Sequence, residues 1–261
     1  MQDRYVGDVG DFGKYALLRR LCGQPRIPNV RLGVVWCLFP NENLTGDGRH
    51  VSYLYSPKFL DLDDQLLLTL RALVETDQRR VSAVATAGIL PRDTVFFDAY
   101  ISSPAADHLS RVRDRSAWLE GCIRLTRDCE LVFFDPDNGL AVPSVPKQHP
   151  RAGKYIYWDE LAPFWRQGKS LLIYHHLNRT VSAAEQIETL ALQFAAEFDR
   201  GRIIPLVFRR GSSRVFWLAH HGDCFGCELE KRAADLLNGG WSQHFRPWGW
   251  PSDDQASTRA S

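Results

Sequence analysis

The sequence predicts an α/β fold, with a Rossmann-like, mainly parallel sheet, helices on both faces and a terminal antiparallel hairpin. Three observations predict it. Apolar, β-branched and aromatic runs alternate with helical stretches along most of the chain, the pattern of strands covered by crossover helices. The last two strand-like runs, RIIPLVFRR and SSRVFWLAHH, are separated by Gly211 alone, which marks a hairpin. With 261 residues, 44% of them hydrophobic, the chain can bury a sizeable core.

Taken in order, GDVGDFGKYALLRRL is a Gly- and Asp-rich loop leading into an amphipathic helix, with Tyr15, Leu17, Leu18 and Leu21 turned inward. RLGVVWCLF (31–39) is a buried strand stopped by Pro40, and residues 59–75 form a helix opened by acids that suit its positive end. DTVFFDAY (93–100) is the second strand, 103–126 an Arg-rich helical region, and LVFFD (131–135) the third strand. Residues 155–168 form a short helix or turn, KSLLIYHHL (169–177) the fourth strand, and 182–200 a helix before the hairpin. The chain reads as a single domain over 1–250, with a helical insertion at 57–92 and a polar, disordered tail at 251–261.

The formal net charge of +1 leaves no global field to draw in nucleic acid or an anionic membrane, although Arg19-Arg20, Arg79-Arg80 and Arg209-Arg210 are local basic pairs. The longest apolar runs fall far short of a membrane span, and no start resembles an export signal, so a cytoplasmic protein is expected. The six cysteines then read as free thiols. Cys224-Phe-Gly-Cys227 is half of a zinc site with no second half, and a turn of small residues is the favoured reading.

In such a sheet, ligands bind beyond the carboxyl ends of the strands. Asp98, then Asp135, Asp137 and Asn138, then His175, His176 and Arg179 all follow strands, so they are expected on one rim. The Asp135-Pro136-Asp137-Asn138-Gly139 corner admits several readings. It is a variant of the Asp/Asn-Pro-Pro-aromatic turn of amino-group methyltransferases, whose Asp or Asn accepts a hydrogen bond from the target amine. It is also a set of oxygen ligands for Mg2+ or Mn2+, from Asp135, Asp137 and Asn138, with His175 or His176 assisting phosphodiester hydrolysis. A third reading, Asp135 as the nucleophile of a haloacid-dehalogenase-like phosphohydrolase, lacks that family's later motifs. The plainest reading is turn-making alone.

The N-terminal RYVGDVGDFGKYALLRRL resembles the opening of the large-subunit ribosomal RNA adenine-N6 methyltransferases, through Gly7, Asp8, Asp11, Lys14 and Tyr15. LVFFDPDNG lies about where that family carries its strand plus Asp-Pro-Pro-Tyr. The resemblance implies a class I, S-adenosylmethionine-dependent methyltransferase fold. Lys14, Tyr15 and Asp11 would lie near the cofactor, Asp98 would grip its ribose, and Asp135 would face the target amine, with a nucleic acid as partner. Two features depart from the family. The loop PNENLTGDGRH replaces the glycine-rich turn after the first strand, and Asp137-Asn138 stands where Pro-Tyr is usual.

These observations leave three functional classes: an amino-group methyltransferase-like enzyme, a metal-dependent nuclease or phosphodiesterase, and a non-catalytic binding module on the same fold. Outside the corner, Arg209, Arg210 and Arg214 are candidates for phosphate contacts. Trp241, Phe245, Trp248 and Trp250 read as a C-terminal segment clamped on the core.

Overall fold

The computed structural model describes residues 1–23, 30–42, 48–178, 180–210 and 212–247. In chain order its main elements are α1 (Val9–Cys22), β1 (Leu32–Val35), α2 (Pro57–Leu60), α3 (Asp64–Glu75), α4 (Val81–Thr86), β2 (Val95–Phe97), α5 (His108–Leu125) and β3 (Leu131–Phe134). They continue through β4 (Gly139–Leu140), β5 (Tyr155–Ile156), α6 (Trp158–Arg166), β6 (Ser170–His176), α7 (Ala183–Glu197), β7 (Arg202–Arg210), β8 (Ser212–His220), α8 (Cys224–Asn238) and β9 (Phe245–Pro247).

Seven of the strands form one sheet in the order β2-β1-β3-β6-β8-β7-β9. The first four are parallel, so their carboxyl ends share one edge. β8 then runs antiparallel to β6, with Arg214 opposite His176, and β7 and β9 complete the antiparallel part. The α/β class, the mainly parallel centre and the terminal hairpin are therefore as the sequence predicts.

Strand side chains alternate between faces, and here the alternation feeds two cores. Val34, Trp36, Phe133, Leu172, Phe208 and Phe216 face the first, with side chains of α1, α3, α4 and α8. Val35, Val132, Phe134, Ile173, Val207 and Trp217 face the second, with side chains of α5, α6 and α7. α1 lies unusually close to the sheet. A Cβ on Gly13 would come within 2.5 Å of the Phe208 ring, and one on Gly10, a turn earlier, within 1.9 Å of the Arg214 guanidinium.

Several element boundaries differ from the sequence reading. The helix expected over 59–75 is two helices, because Asp63 caps the second by accepting from the Leu66 N–H at 3.0 Å. Leu66, Leu67, Leu70 and Leu73 of α3, with Val81 and Val84 of α4, belong to the first core. The Arg-rich helix starts only at His108, where Asp107 accepts from the Leu109 and Ser110 N–H groups. The Cys224–Cys227 segment is no turn: it opens α8, a 15-residue helix capped by Asp223. Trp241 and Phe245 are buried as expected, whereas Trp248, Trp250 and the tail lie outside the described residues. Among the described residues no helix is long and apolar enough to cross a membrane.

Beneath the second core, Arg115 of α5 pairs with Glu160 of α6, both almost fully buried. The same guanidinium donates to the carbonyls of Ala152 (2.9 Å) and Tyr155 (2.6 Å), so one side chain ties α5 to the chain segment entering α6. Removing one partner of a buried pair strands the other charge. Arg115→Met is expected to lower unfolding free energy by roughly 3–5 kcal/mol in urea titrations, the range for breaking such pairs.

Candidate functional site

The first turn of α1 is built from acids that satisfy its own backbone. Asp8 caps the helix, accepting from the Gly10 N–H at 3.0 Å and from the His50 N–H at 3.1 Å. Asp11, one turn on, accepts from the Gly7 N–H (3.2 Å) and the Tyr15 hydroxyl (3.3 Å). Lys14 is three residues further along the same face. Its Nζ lies 2.7 Å from Asp11 Oδ1 and 2.6 Å from Asp135 Oδ2, where β3 ends. All three side chains are at most 5% exposed.

Burial alone would favour the neutral amine of Lys14. Asp11 and Asp135 outweigh it, and the lysine pKa ends above its ordinary 10.5. Burial likewise raises the Asp11 carboxyl, against the pull of Lys14. At neutral pH Lys14 is a fixed cation joining α1 to the end of β3.

Beyond Asp135 the chain turns sharply. Asp137 accepts from Gln2 Nε2 at 2.5 Å and pairs with the Met1 α-amino group at 2.7 Å. The same amino group donates to the carbonyls of Cys37 and Asp135, each at 3.0 Å. Asn138 is held through its backbone, donating to Lys154 O (2.9 Å) and accepting from the His176 N–H (3.2 Å). Gly139 follows with φ +105°, and a Cβ there would meet His175 Nδ1 at 2.4 Å. Only glycine fits this corner.

Above the corner opens a cavity of about 350 Å³, at the carboxyl edge of the parallel strands. Asp8, Gly10, Asp11 and Lys14 of the α1 region line one wall, and Asp135 to Asn138 the floor. Tyr174 and His176 of β6 and Arg214 of β8 line another wall, and Met1, Tyr5, Gly48 and His50 complete the lining. The Tyr174 hydroxyl and His176 Nδ1 are 3.2 Å apart. Lys14 Nζ lies 5.8 Å from the centre of the Tyr174 ring.

Of the residues singled out from the sequence, Asp11, Lys14, Asp135, Asp137 and Asn138 meet in this cavity. Tyr15 stands behind it, fully buried, braced on Asp11. His175 does not face the cavity. Strand alternation turns its ring to the opposite side of the sheet, where Nδ1 accepts from the Leu140 N–H at 3.1 Å. The neighbouring His176 takes the cavity position. Asp98 is exposed at the end of β2, separated from β3 by β1, and is not among the lining residues. Arg179 lies outside the described residues.

Tyr5, Tyr174, His176 and Arg214 complete the site; of these, His176 is expected on this rim from the sequence, Arg214 is expected only as a phosphate contact outside it, and Tyr5 and Tyr174 carry no sequence signal. The Arg214–His176 pairing depends on the register of an antiparallel contact between strands far apart in the chain. The spacing of Asp8, Asp11 and Lys14, three residues apart on one helical face, was a legible signal that they act together. Among the described residues there is no group of three His, Cys, Asp or Glu side chains placed to hold a metal ion, either here or at Cys224 and Cys227. No protein-family model matches the chain, and no curated protein matches it.

Replacing Lys14 leaves Asp11 and Asp135 buried without their cation. Lys14→Met is expected to lose about 3–5 kcal/mol in denaturant titrations, the cost of breaking a buried ion pair. Because the folded-state lysine pKa is raised, this contribution is complete below 10.5 and fades only at higher pH.

Burial also lowers the His175 pKa to about 4, with His176 adding to the shift. A depressed histidine contributes stability above its ordinary 6.5 that is lost as the pH falls toward 4. Wild-type melting temperature is therefore expected to fall across that window, with a shallower slope in His175→Asn. Some slope remains, because burial and then Arg210 place His244 at about 4 as well.

Proposed function

We propose that this protein is an S-adenosylmethionine-dependent methyltransferase-like enzyme acting on an amino group, and that its target is a base of a nucleic acid. The observation that carries the reading is the Lys14–Asp135 contact. The resemblance of the N-terminal segment implies a cofactor-side lysine and an amine-side aspartate, and the two are 2.6 Å apart in one cavity.

The chemistry of the lining suits the cofactor, which bears a sulfonium and an ammonium against one carboxylate. Four aspartates line the cavity, opposed by Lys14, Arg214 and the Met1 amino group, with His50 and His176 beside them. The rings of Tyr5 and Tyr174 add faces of the kind that attract cations. In this reading Arg214 would take the cofactor carboxylate and Asp8 its ammonium. A 350 Å³ cavity is within the range of small-molecule sites.

The cofactor would be held from the side of α1 and not from the loop after β1. Trp36, Cys37 and Leu38 are buried in that stretch, and Cys37 itself has φ +46°. Asp98 follows the edge strand β2 and does not line this cavity, so the ribose grip that the resemblance implies is not assigned to it.

When bound, the cofactor supplies an electrophilic methyl group. The chain's own part is orientation. Lys14 holds Oδ2 of Asp135, which fixes the carboxylate and leaves Oδ1 to accept a hydrogen bond from the incoming amine. That bond points the nitrogen lone pair toward the methyl donor. The metal-dependent reading gains no comparable support. Among the described residues no three His, Cys, Asp or Glu side chains are grouped to hold a metal ion, although His176 lines the cavity.

S-adenosylmethionine is expected to raise the melting temperature, following the linkage of binding to stability. Methyl transfer to single-stranded RNA or DNA should fall by on the order of 10²-fold in Asp135→Ala, the scale of a misplaced reactant. Asp135→Asn, which keeps an acceptor oxygen, should retain measurable transfer. No thermal shift with the cofactor would overturn the reading. A shift without transfer would favour the non-catalytic binding module.

A further inference from the structure

A second reactive pair lies away from the cavity, at the start of α8. Among six cysteines, Cys22, Cys37, Cys122 and Cys129 are buried, while Cys224 and Cys227 are exposed. Burial pushes the thiols of Cys22 and Cys37 up to about 12 and raises those of Cys122 and Cys129 too. Those four are poor nucleophiles at neutral pH.

Cys224 and Cys227 both belong to the first turn of a regular helix. Residues three apart on an α-helix have Cα atoms about 5 Å apart, inside the roughly 4.4–6.8 Å that a disulfide spans. Helical side chains lean toward the N-terminus. Cys227 does so, its Sγ 3.5 Å from the Gly222 carbonyl oxygen, back past the level of Cys224.

The turn is anchored from below. Asp223 Oδ1 accepts from the Gly226 N–H at 2.7 Å, and the Gly222 N–H donates to His220 Nδ1 at 3.1 Å. His220 is fully buried, and a Cβ on Gly226 would come within 2.2 Å of its Nδ1. The imidazole therefore occupies the inner side of the turn, and the two thiols stay accessible together.

We propose that Cys224 and Cys227 are a redox-active dithiol that closes to an intramolecular disulfide by exchange with a small-molecule disulfide such as oxidised glutathione. The Cys224 thiolate attacks one sulfur of glutathione disulfide, forming a mixed disulfide and expelling one glutathione thiolate. Cys227 gives its proton to solvent and attacks the Cys224 sulfur, expelling the second glutathione. Two electrons pass from the cysteine pair to the glutathione pair, so the exchange balances without another oxidant.

The test treats the full-length reduced protein with oxidised glutathione under native conditions and reads intact mass and peptide maps. Wild type is expected to lose the mass of two hydrogen atoms, retain no glutathionyl group, and yield a linked Cys224–Cys227 peptide. Dithiothreitol should reverse the change. Cys227→Ser should stop at a single glutathionyl adduct on Cys224, with an unchanged far-ultraviolet circular dichroism spectrum. Stable glutathionyl adducts on wild type, a disulfide involving any other cysteine, or no reaction at either residue would overturn the proposal.

Discussion

One buried ammonium organises this molecule. Lys14 Nζ sits between Asp11 and Asp135 at 2.7 and 2.6 Å, where a lone charge would cost several kcal/mol to desolvate. Two carboxylates offset that cost, and they come from different elements, α1 and the end of β3. The contact therefore fixes where the helix starts relative to the sheet. Gly10 and Gly13 make the approach sterically feasible, since any side chain on either would run into Arg214 or Phe208. Charge sets the position and the missing Cβ atoms permit it.

The cavity follows from that placement and from topology. Parallel β3 and β6 deliver Asp135 and His176 to the same edge. Because β8 runs antiparallel beside β6, its beginning lies at that edge as well, which brings Arg214 opposite His176. The α1 region then closes the remaining side. Residues from positions 1 to 214 meet there. The acids are held by backbone N–H groups, Lys14, Gln2 and the Met1 amino group, so the shape of the cavity is set before any ligand arrives. Such preorganisation is what orientation-based catalysis requires.

The strands were readable from the sequence because buried strands are continuous apolar runs, and LVFF and LLIY are both such runs. The placement of Asp135 in the cavity is readable for a related reason: a carboxylate directly after a buried parallel strand emerges at the carboxyl edge of the sheet. Which of His175 and His176 faces the cavity is not legible, because alternation requires a known phase, and the sequence of β6 does not fix which face carries the larger polar site. Asp98 failed for another reason. Its strand ends at the same edge, but β2 is outermost in the sheet, and sheet order is a long-range property. α8 is legible too. Leu229, Ala233, Leu236 and Leu237 recur at helical spacing after the capping Asp223. The break at Asp63 within an otherwise continuous apolar pattern was equally open to a capping argument.

The coupling between Lys14 and Asp135 is the quantity most directly tied to this account. A double-mutant cycle with Lys14→Met, Asp135→Asn and the combined variant, read by urea unfolding, measures it. If the ion pair positions α1 on the sheet, the combined variant will lose less stability than the two single losses added together, by more than about 1 kcal/mol. Additive losses would contradict the account, because they would mean that the two groups sit side by side without depending on each other.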